Sequence, residues 1–161
     1  MENSRSAIQH EVSRFSKRIF VWTVKRKCRE HGNHSELAIV VPLDYTRKST
    51  LFRIAENRRR YYLSTSVIDL WEMFGEDSPT FGGRPTWLGK LEDNARDHER
   101  LHFLVERIKE ALKTVVESPL GKAGRRCIRD WVVTFIKQEE ARGEFCWGRV
   151  RCVKETVDRF S

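Results

Sequence analysis

Along this chain, apolar residues first recur at every second position and later about every 3.6 residues. This change of period constrains the fold more than any other feature. Between Arg18 and Arg29, neighbouring residues alternate between two faces, as in a β-strand. One face holds Phe20, Trp22, Val24, Arg26 and Cys28, and the other, which is expected to face outwards, holds Val21, Thr23, Lys25, Lys27 and Arg29. Shorter runs with strand character follow at Leu37–Leu43, Thr50–Ala55 and Arg58–Leu63. After Ser64 the apolar residues recur at helical spacing. The sequence therefore predicts an antiparallel sheet first and helices afterwards.

The remaining segments complete an α+β fold class. Helices are predicted over Ala7–Lys17, from a Ser66 cap to Gly75, over Leu91–Glu117 and over Arg125–Arg142. Two prolines and two glycines in Glu76–Leu88 predict a loop. We expect an N-terminal helix plus a three- or four-stranded antiparallel sheet, followed by a mainly helical C-terminal half.

One compact domain is expected for residues 1–161. The 161 residues suit one domain, and neither a flexible linker nor an internal repeat divides them. Within this domain, residues 1–65 form a basic helix-plus-sheet segment and residues 66–161 a helical segment.

Positive charge is concentrated in the first segment. Residues 1–65 hold 14 Lys and Arg against 6 Asp and Glu, and this excess of eight positive charges equals the net charge of +8 of the whole chain. Residues 66–118 hold 7 against 11, and residues 119–161 hold 10 against 6. Arg outnumbers Lys by 21 to 10, and guanidinium groups pair with phosphate in bidentate fashion. A polyanion is therefore the expected partner.

The cysteines and apolar runs predict an intracellular protein, cytoplasmic or nuclear and not secreted. Four scattered cysteines do not form a disulfide scaffold, and no apolar run reaches the length of a membrane span. The first residues carry no apolar stretch of the signal-peptide type. No membrane partner is expected.

Cations and aromatic rings coincide on two of the predicted strands. Phosphates attract the cations, and exposed bases stack on flat rings. The candidate nucleic-acid-binding residues are Lys25, Lys27, Arg29, Arg58, Arg59, Arg60, Tyr61 and Tyr62. The alternative is a solvated sheet face whose Lys and Arg side chains prevent edge pairing.

The order helix, sheet, helix is similar to the layout of double-stranded RNA-binding domains. The loop histidine and the basic start of the second helix that mark this family are missing from the sequence. Signatures of major-groove readers are missing too, so RNA or a structured duplex is favoured over sequence-specific DNA.

Two sets of residues could bind zinc. His98, Glu99 and His102 spell H-E-x-x-H on a predicted helix, the pattern in which zinc metalloproteases place two ligands and a general base. The alternative is a charged amphipathic helix with two chance histidines. The second set is Cys28, His31 and His34, whose spacing matches no standard zinc knuckle.

The predicted loop offers a protein-docking surface. Phe81, Arg84 and Trp87 lie in it, and exposed rings at a loop tip commonly bind partners. The alternative is that these rings cover the helical core.

The sequence thus predicts a non-enzymatic nucleic-acid-binding protein without a cofactor. Its Arg-rich, Trp-containing short chain is typical of viral accessory proteins that act on a host. The alternatives are a protein-interaction adaptor and a zinc-dependent hydrolase. A dimer surface on the helical segment, and with it a homo-oligomer, stays open.

Overall fold

The chain folds into an antiparallel sheet with helices before and after it. A computed structural model describes residues 2–28, 32–57, 60–75, 81–117, 135–139 and 141–142. The elements up to the fourth strand are α1 (Glu2–Phe15), β1 (Arg18–Cys28), β2 (Gly32–Pro42), β3 (Lys48–Asn57) and β4 (Arg60–Asp69). They are followed by α2 (Leu70–Gly75), β5 (Phe81–Lys90), α3 (Ala95–Glu117) and a helical segment at residues 135–139. The predicted α+β class is confirmed.

Within the described ranges, five strands form one sheet in the order β4-β3-β2-β1-β5. The first four strands are a meander, because each pairs antiparallel with its neighbour in the chain. Strand β5 adds antiparallel to the other side of β1. Strands β2 and β3 pair from Ile39↔Phe52 to Pro42↔Ser49.

Both faces of the central sheet are buried. Ile19 and Val21 of β1 belong to a core cluster that includes residues of α3 and of the 135–139 segment. Phe20 and Trp22, which alternate with them, belong to a second cluster with residues of α1. Continuous apolar runs of this kind are typical of strands that are covered on both sides. The fold therefore has three layers.

This burial corrects the predicted faces of β1. The alternation assigned Val21 to an outward face, together with Lys25 and Lys27. Val21 is instead buried, because α3 covers this side of the sheet. An outward basic row can therefore begin only beyond Trp22.

The described sheet also has more strands than the three or four that were predicted. Residues 81–88, which were predicted to lie in a loop, form most of β5. Between the pairs Thr23↔Gly82 and Val21↔Thr86 the register shifts, and Pro85 lies at this irregularity. A proline is tolerated there because the ladder is already interrupted.

The border between β4 and α2 was also predicted wrongly. Val67 and Ile68 continue β4, opposite Thr50 and Ser49. The helix cap is Asp69, whose Oδ1 accepts a hydrogen bond from the N–H of Trp71 at 2.9 Å. Val67 and Ile68 are both β-branched, so strand pairing with β3 suits them better than the first turn of a helix.

The other helix boundaries differ from the predictions by a few residues. Helix α3 begins at Ala95 rather than Leu91, because Asn94 caps it with an Oδ1 atom that accepts from the N–H of Asp97 at 2.8 Å. Helix α1 begins earlier than predicted, at Glu2, and ends at Phe15. Of the last predicted helix, residues 135–139 are helical, and residues 125–134 lie outside the described part of the chain.

Asp44 organises the loop between β2 and β3. Its Oδ1 accepts hydrogen bonds from the N–H groups of Thr46, Arg47 and Lys48, at 3.0, 3.0 and 2.9 Å. Burial would raise the pKa of this carboxyl, but the three backbone bonds outweigh it and lower the pKa to about 2. Nearby, the Arg47 guanidinium binds Asp69 at 2.6 Å and lowers the pKa of Asp69.

A buried ion pair joins α3 to the 135–139 segment. The Nε atom of Arg107 lies 2.9 Å from both carboxylate oxygens of Glu139. The side chain of Glu139 is only 2% exposed, and that of Arg107 is 25% exposed. This pair connects two helical elements that Ile108 and Phe135 already hold in one core cluster.

Asp44→Asn should lower stability in a pH-dependent way, because it removes the charge but keeps an accepting oxygen. The folded pKa of about 2 lies below the ordinary 3.8, so the charge stabilises the fold above about pH 4. This contribution is lost as the pH falls through 3.8 towards 2. Urea unfolding should find the wild type more stable at about pH 6, with a difference that disappears near pH 2. A difference that stays constant over this range would contradict the assignment.

Arg107→Ala should lower the free energy of unfolding by about 3–5 kcal/mol, because it removes the Arg107 guanidinium from the buried Glu139 carboxylate. Lys109→Ala is the matched control, since Lys109 is an exposed cation on the same helix. Its effect should stay within about 0.5 kcal/mol. Equal values for the two variants in urea unfolding would show that the ion pair does not hold the helices together.

Candidate nucleic-acid interface

The meander brings two basic strand ends to the same end of the sheet. Cys28 pairs with Gly32 where β1 and β2 end, and Asn57 pairs with Arg60 where β3 and β4 end. Both pairs lie beyond Ile39↔Phe52, on the side opposite the 43–47 loop. We call the described part of this end, residues 24–28, 32–37, 53–57 and 60–63, the basic end. In the sequence, the stretches 24–37 and 53–63 hold eight Lys and Arg against three Glu.

Five of the eight predicted nucleic-acid-binding residues lie in described strands at this end. Lys25 and Lys27 lie in β1, opposite Ser35 and Asn33. Arg60 and Tyr61 lie in β4, opposite Asn57 and Glu56. For these four residues the structure describes the backbone alone. The predicted residues Arg29, Arg58 and Arg59 lie outside the described part of the chain.

Tyr62 is the predicted site residue whose side chain is described at this end. It lies opposite Ala55 in β4, and 43% of the residue is exposed to solvent. An exposed ring two positions from Arg60 can stack on a base while the cation binds phosphate.

Away from the basic end, a pocket of about 400 Å³ lies between the sheet, the 43–47 loop and α3. Val41, Phe52 and Leu101 contribute to its apolar walls, and His98, His102 and Lys109 line it from α3. Sequence patterns did not predict this pocket, because its walls come from three strands, a loop and a helix.

Tyr45 lines this pocket in an unusual backbone conformation. Its φ of 60° lies in the left-handed region, which costs a non-glycine residue roughly 1–2 kcal/mol. The ring stacks on His98 with centroids 4.8 Å apart, and the buried hydroxyl has no hydrogen-bond partner among the described residues. Burial, together with Asp93 and Asp97, raises the pKa of this hydroxyl. The Asp44 turn gives a sequence signal for the loop, but not for this conformation.

The H-E-x-x-H histidines lie on α3, as the sequence predicted. The Nε2 atom of His98 lies 2.5 Å from Oδ1 of Asp93, and the His102 ring packs edge-on against Phe103. Within the described part of the chain, no group of three or more His, Cys, Asp or Glu side chains could hold a metal ion. Whether His98 and His102 bind zinc stays a prediction.

The second zinc candidate is only partly described. Cys28 lies opposite Gly32, and His34 lies opposite Arg26 in the β1–β2 pair. His31 is outside the described residues. Whether these three residues share a metal stays a prediction.

The residues of the predicted docking loop belong to a strand instead. Phe81 and Trp87 lie opposite Val24 and Phe20 in the β1–β5 pair, and Arg84 lies at the register shift between them. A loop tip is therefore the wrong description of these three positions.

Comparisons of the chain with protein-family models, curated proteins and solved structures find no match. Among the helices in the described ranges, none is long and apolar enough to cross a membrane.

His98→Ala should lower thermal stability more than His102→Ala. The first change removes the stacking on Tyr45 and the contact with Asp93, and an aromatic pair contributes about 0.5–1.5 kcal/mol. The described ring contact of His102 is with Phe103, which is itself 53% exposed, so its loss should have little effect. We expect a chelator to leave the unfolding temperature of the wild type unchanged. Equal losses in both variants, matched by a loss with chelator, would instead support a zinc site.

Proposed function

We propose that this protein binds nucleic acid, RNA in preference to sequence-specific DNA, through the basic end of its sheet, and that it is not an enzyme. One observation carries the proposal: two strand pairs that are rich in Arg and Lys end at the same end of one sheet. Cations placed together attract a phosphate backbone far more strongly than the same cations spread over a surface.

The charge distribution of the chain supports an orientation for the ligand. The sequence stretches 24–37 and 53–63 have an excess of five positive charges, whereas residues 66–118 have an excess of four negative ones. A polyanion is attracted to the first region and repelled by the second. The nucleic acid should therefore approach one end of the sheet.

Tyr62 supports a preference for unpaired bases. Stacking of a base on an aromatic ring contributes about 1–3 kcal/mol and tolerates any base. A duplex keeps its bases inside, so it offers only phosphates and sugars to the same surface. Single-stranded RNA, or a loop within structured RNA, would use both the cations and the exposed ring.

The adaptor alternative has less support, because Phe81, Arg84 and Trp87 lie in β5 rather than on a loop. A pull-down that survives charge reversal at the basic end would favour it.

Replacing Arg58, Arg59 and Arg60 together by Glu should abolish RNA binding without unfolding the protein. Titration at several salt concentrations measures the effect. The wild type should lose affinity steeply with salt. Each lost phosphate contact should flatten the slope of log binding constant against log salt concentration by about 0.7–0.9.

Tyr62→Ala should weaken single-stranded RNA binding by about 1–3 kcal/mol and leave duplex binding nearly unchanged.

The matched control reverses three exposed lysines away from the basic end, at Lys17, Lys90 and Lys109. It changes the net charge by the same amount, so it should retain most of the affinity. Equal losses in both triple variants would mean that net charge alone attracts RNA. Salt-independent binding, or none at low salt, would refute the proposal.

A further inference from the structure

Strand β4 lies at one edge of the sheet, among the described strands. It pairs with β3 along its whole length, from Lys48↔Asp69 to Asn57↔Arg60. Along its other side, alternate N–H and C=O groups have no strand partner in the described part of the chain. Thr65, Ser66 and Val67 are exposed, which fits an uncovered edge.

This edge lacks the features that normally prevent strand pairing. Soluble proteins protect edge strands with Lys, Pro, bulges or inward charges. The eight residues from Tyr61 to Ile68 contain no charged residue and no proline. The pairing with β3 is continuous over ten positions, without a bulge. Val67 is 61% exposed and Tyr62 43% exposed, so apolar surface accompanies the open edge.

We propose that β4 pairs antiparallel with β4 of a second copy of this chain, with Thr65 on the two-fold axis. The strand ends favour the antiparallel direction, because Arg60 begins the strand and Asp69, which already binds Arg47, ends it. Antiparallel pairing keeps the Arg60 ends of the two strands apart. Parallel pairing would place like charges together.

The position of the axis follows from the side chains. With Thr65 opposite its own copy, Leu63 lies opposite Val67, and Tyr62 lies opposite Ile68, each pair twice. Leu63 packs against the core cluster on the α3 side, whereas Ile68 belongs to the cluster on the α1 side. This register thus forms apolar cross-strand pairs on both faces, and such pairs stabilise antiparallel strands.

In the dimer, the five described strands of each copy would join into one continuous sheet. Its two-fold axis is perpendicular to the sheet, so the two basic ends point in opposite directions. One dimer could then hold two separate stretches of nucleic acid. The pairing itself does not depend on nucleic-acid binding.

Sedimentation over a range of concentrations tests the pairing in the full chain without nucleic acid. We expect a monomer–dimer equilibrium for the wild type. Thr65→Lys should raise the dimer dissociation constant about tenfold, because like charges would lie directly opposite each other at the axis. Ser13→Lys, at an exposed position of α1, should leave it unchanged. A wild type that stays monomeric up to its solubility limit would overturn the proposal.

Cysteine cross-linking tests the register and does not depend on how well Thr65→Lys folds. Opposed residues of antiparallel strands have Cα atoms about 4.5–5.5 Å apart, within the range for a disulfide. Under mild oxidation Thr65→Cys should form a dimer through a disulfide between the two introduced thiols. Mass spectrometry must identify this bond, because the chain has four native cysteines. Ser66→Cys and Ser13→Cys should not cross-link through their introduced thiols. Cross-linking of Ser66→Cys as readily as Thr65→Cys would reject the register.

Discussion

Burial of both faces of the central strands is the constraint on which the rest of this structure depends. Ile19 and Val21 need cover on one side of β1, and Phe20 and Trp22 need it on the other. A single layer of helices cannot supply both, so α1 and α2 pack on one face while α3 and residues 135–139 pack on the other. The Arg107–Glu139 pair and the caps at Asp69 and Asn94 fix these helices once burial has placed them.

Because the faces are occupied, the candidate functional surfaces lie at the ends and edges of the sheet. One end collects the cations of two strand pairs. The other end carries the Asp44 turn and the strained Tyr45 beside the pocket of α3. The β4 edge offers backbone groups instead of charged side chains. We propose contacts for two of these surfaces: phosphate for the basic end, and a second strand for the β4 edge.

The spacing of apolar residues predicted helices and strands correctly where the local sequence preference agreed with the tertiary packing. It predicted α1, the first three strands and α3 with shifts of a few residues. It was wrong where tertiary pairing outweighed local preference. The glycines and prolines of 81–88 predicted a loop, but pairing with β1 and a register shift at Pro85 accommodate them in β5. Likewise, Val67 and Ile68 fit a helical pattern, yet β3 offered them a strand partner.

The sequence by itself determined that the excess of positive charge belongs to the first 65 residues and that the strands there alternate in character. Both properties depend only on residue type and order. Only the tertiary structure decided that two basic strand ends lie on one side of the sheet, that Val21 is buried, and that Tyr45 stacks on His98. Each of these features depends on contacts between residues that are distant in sequence. Such contacts arise where the chain reverses at each turn and where elements pack together, and a local sequence pattern contains neither.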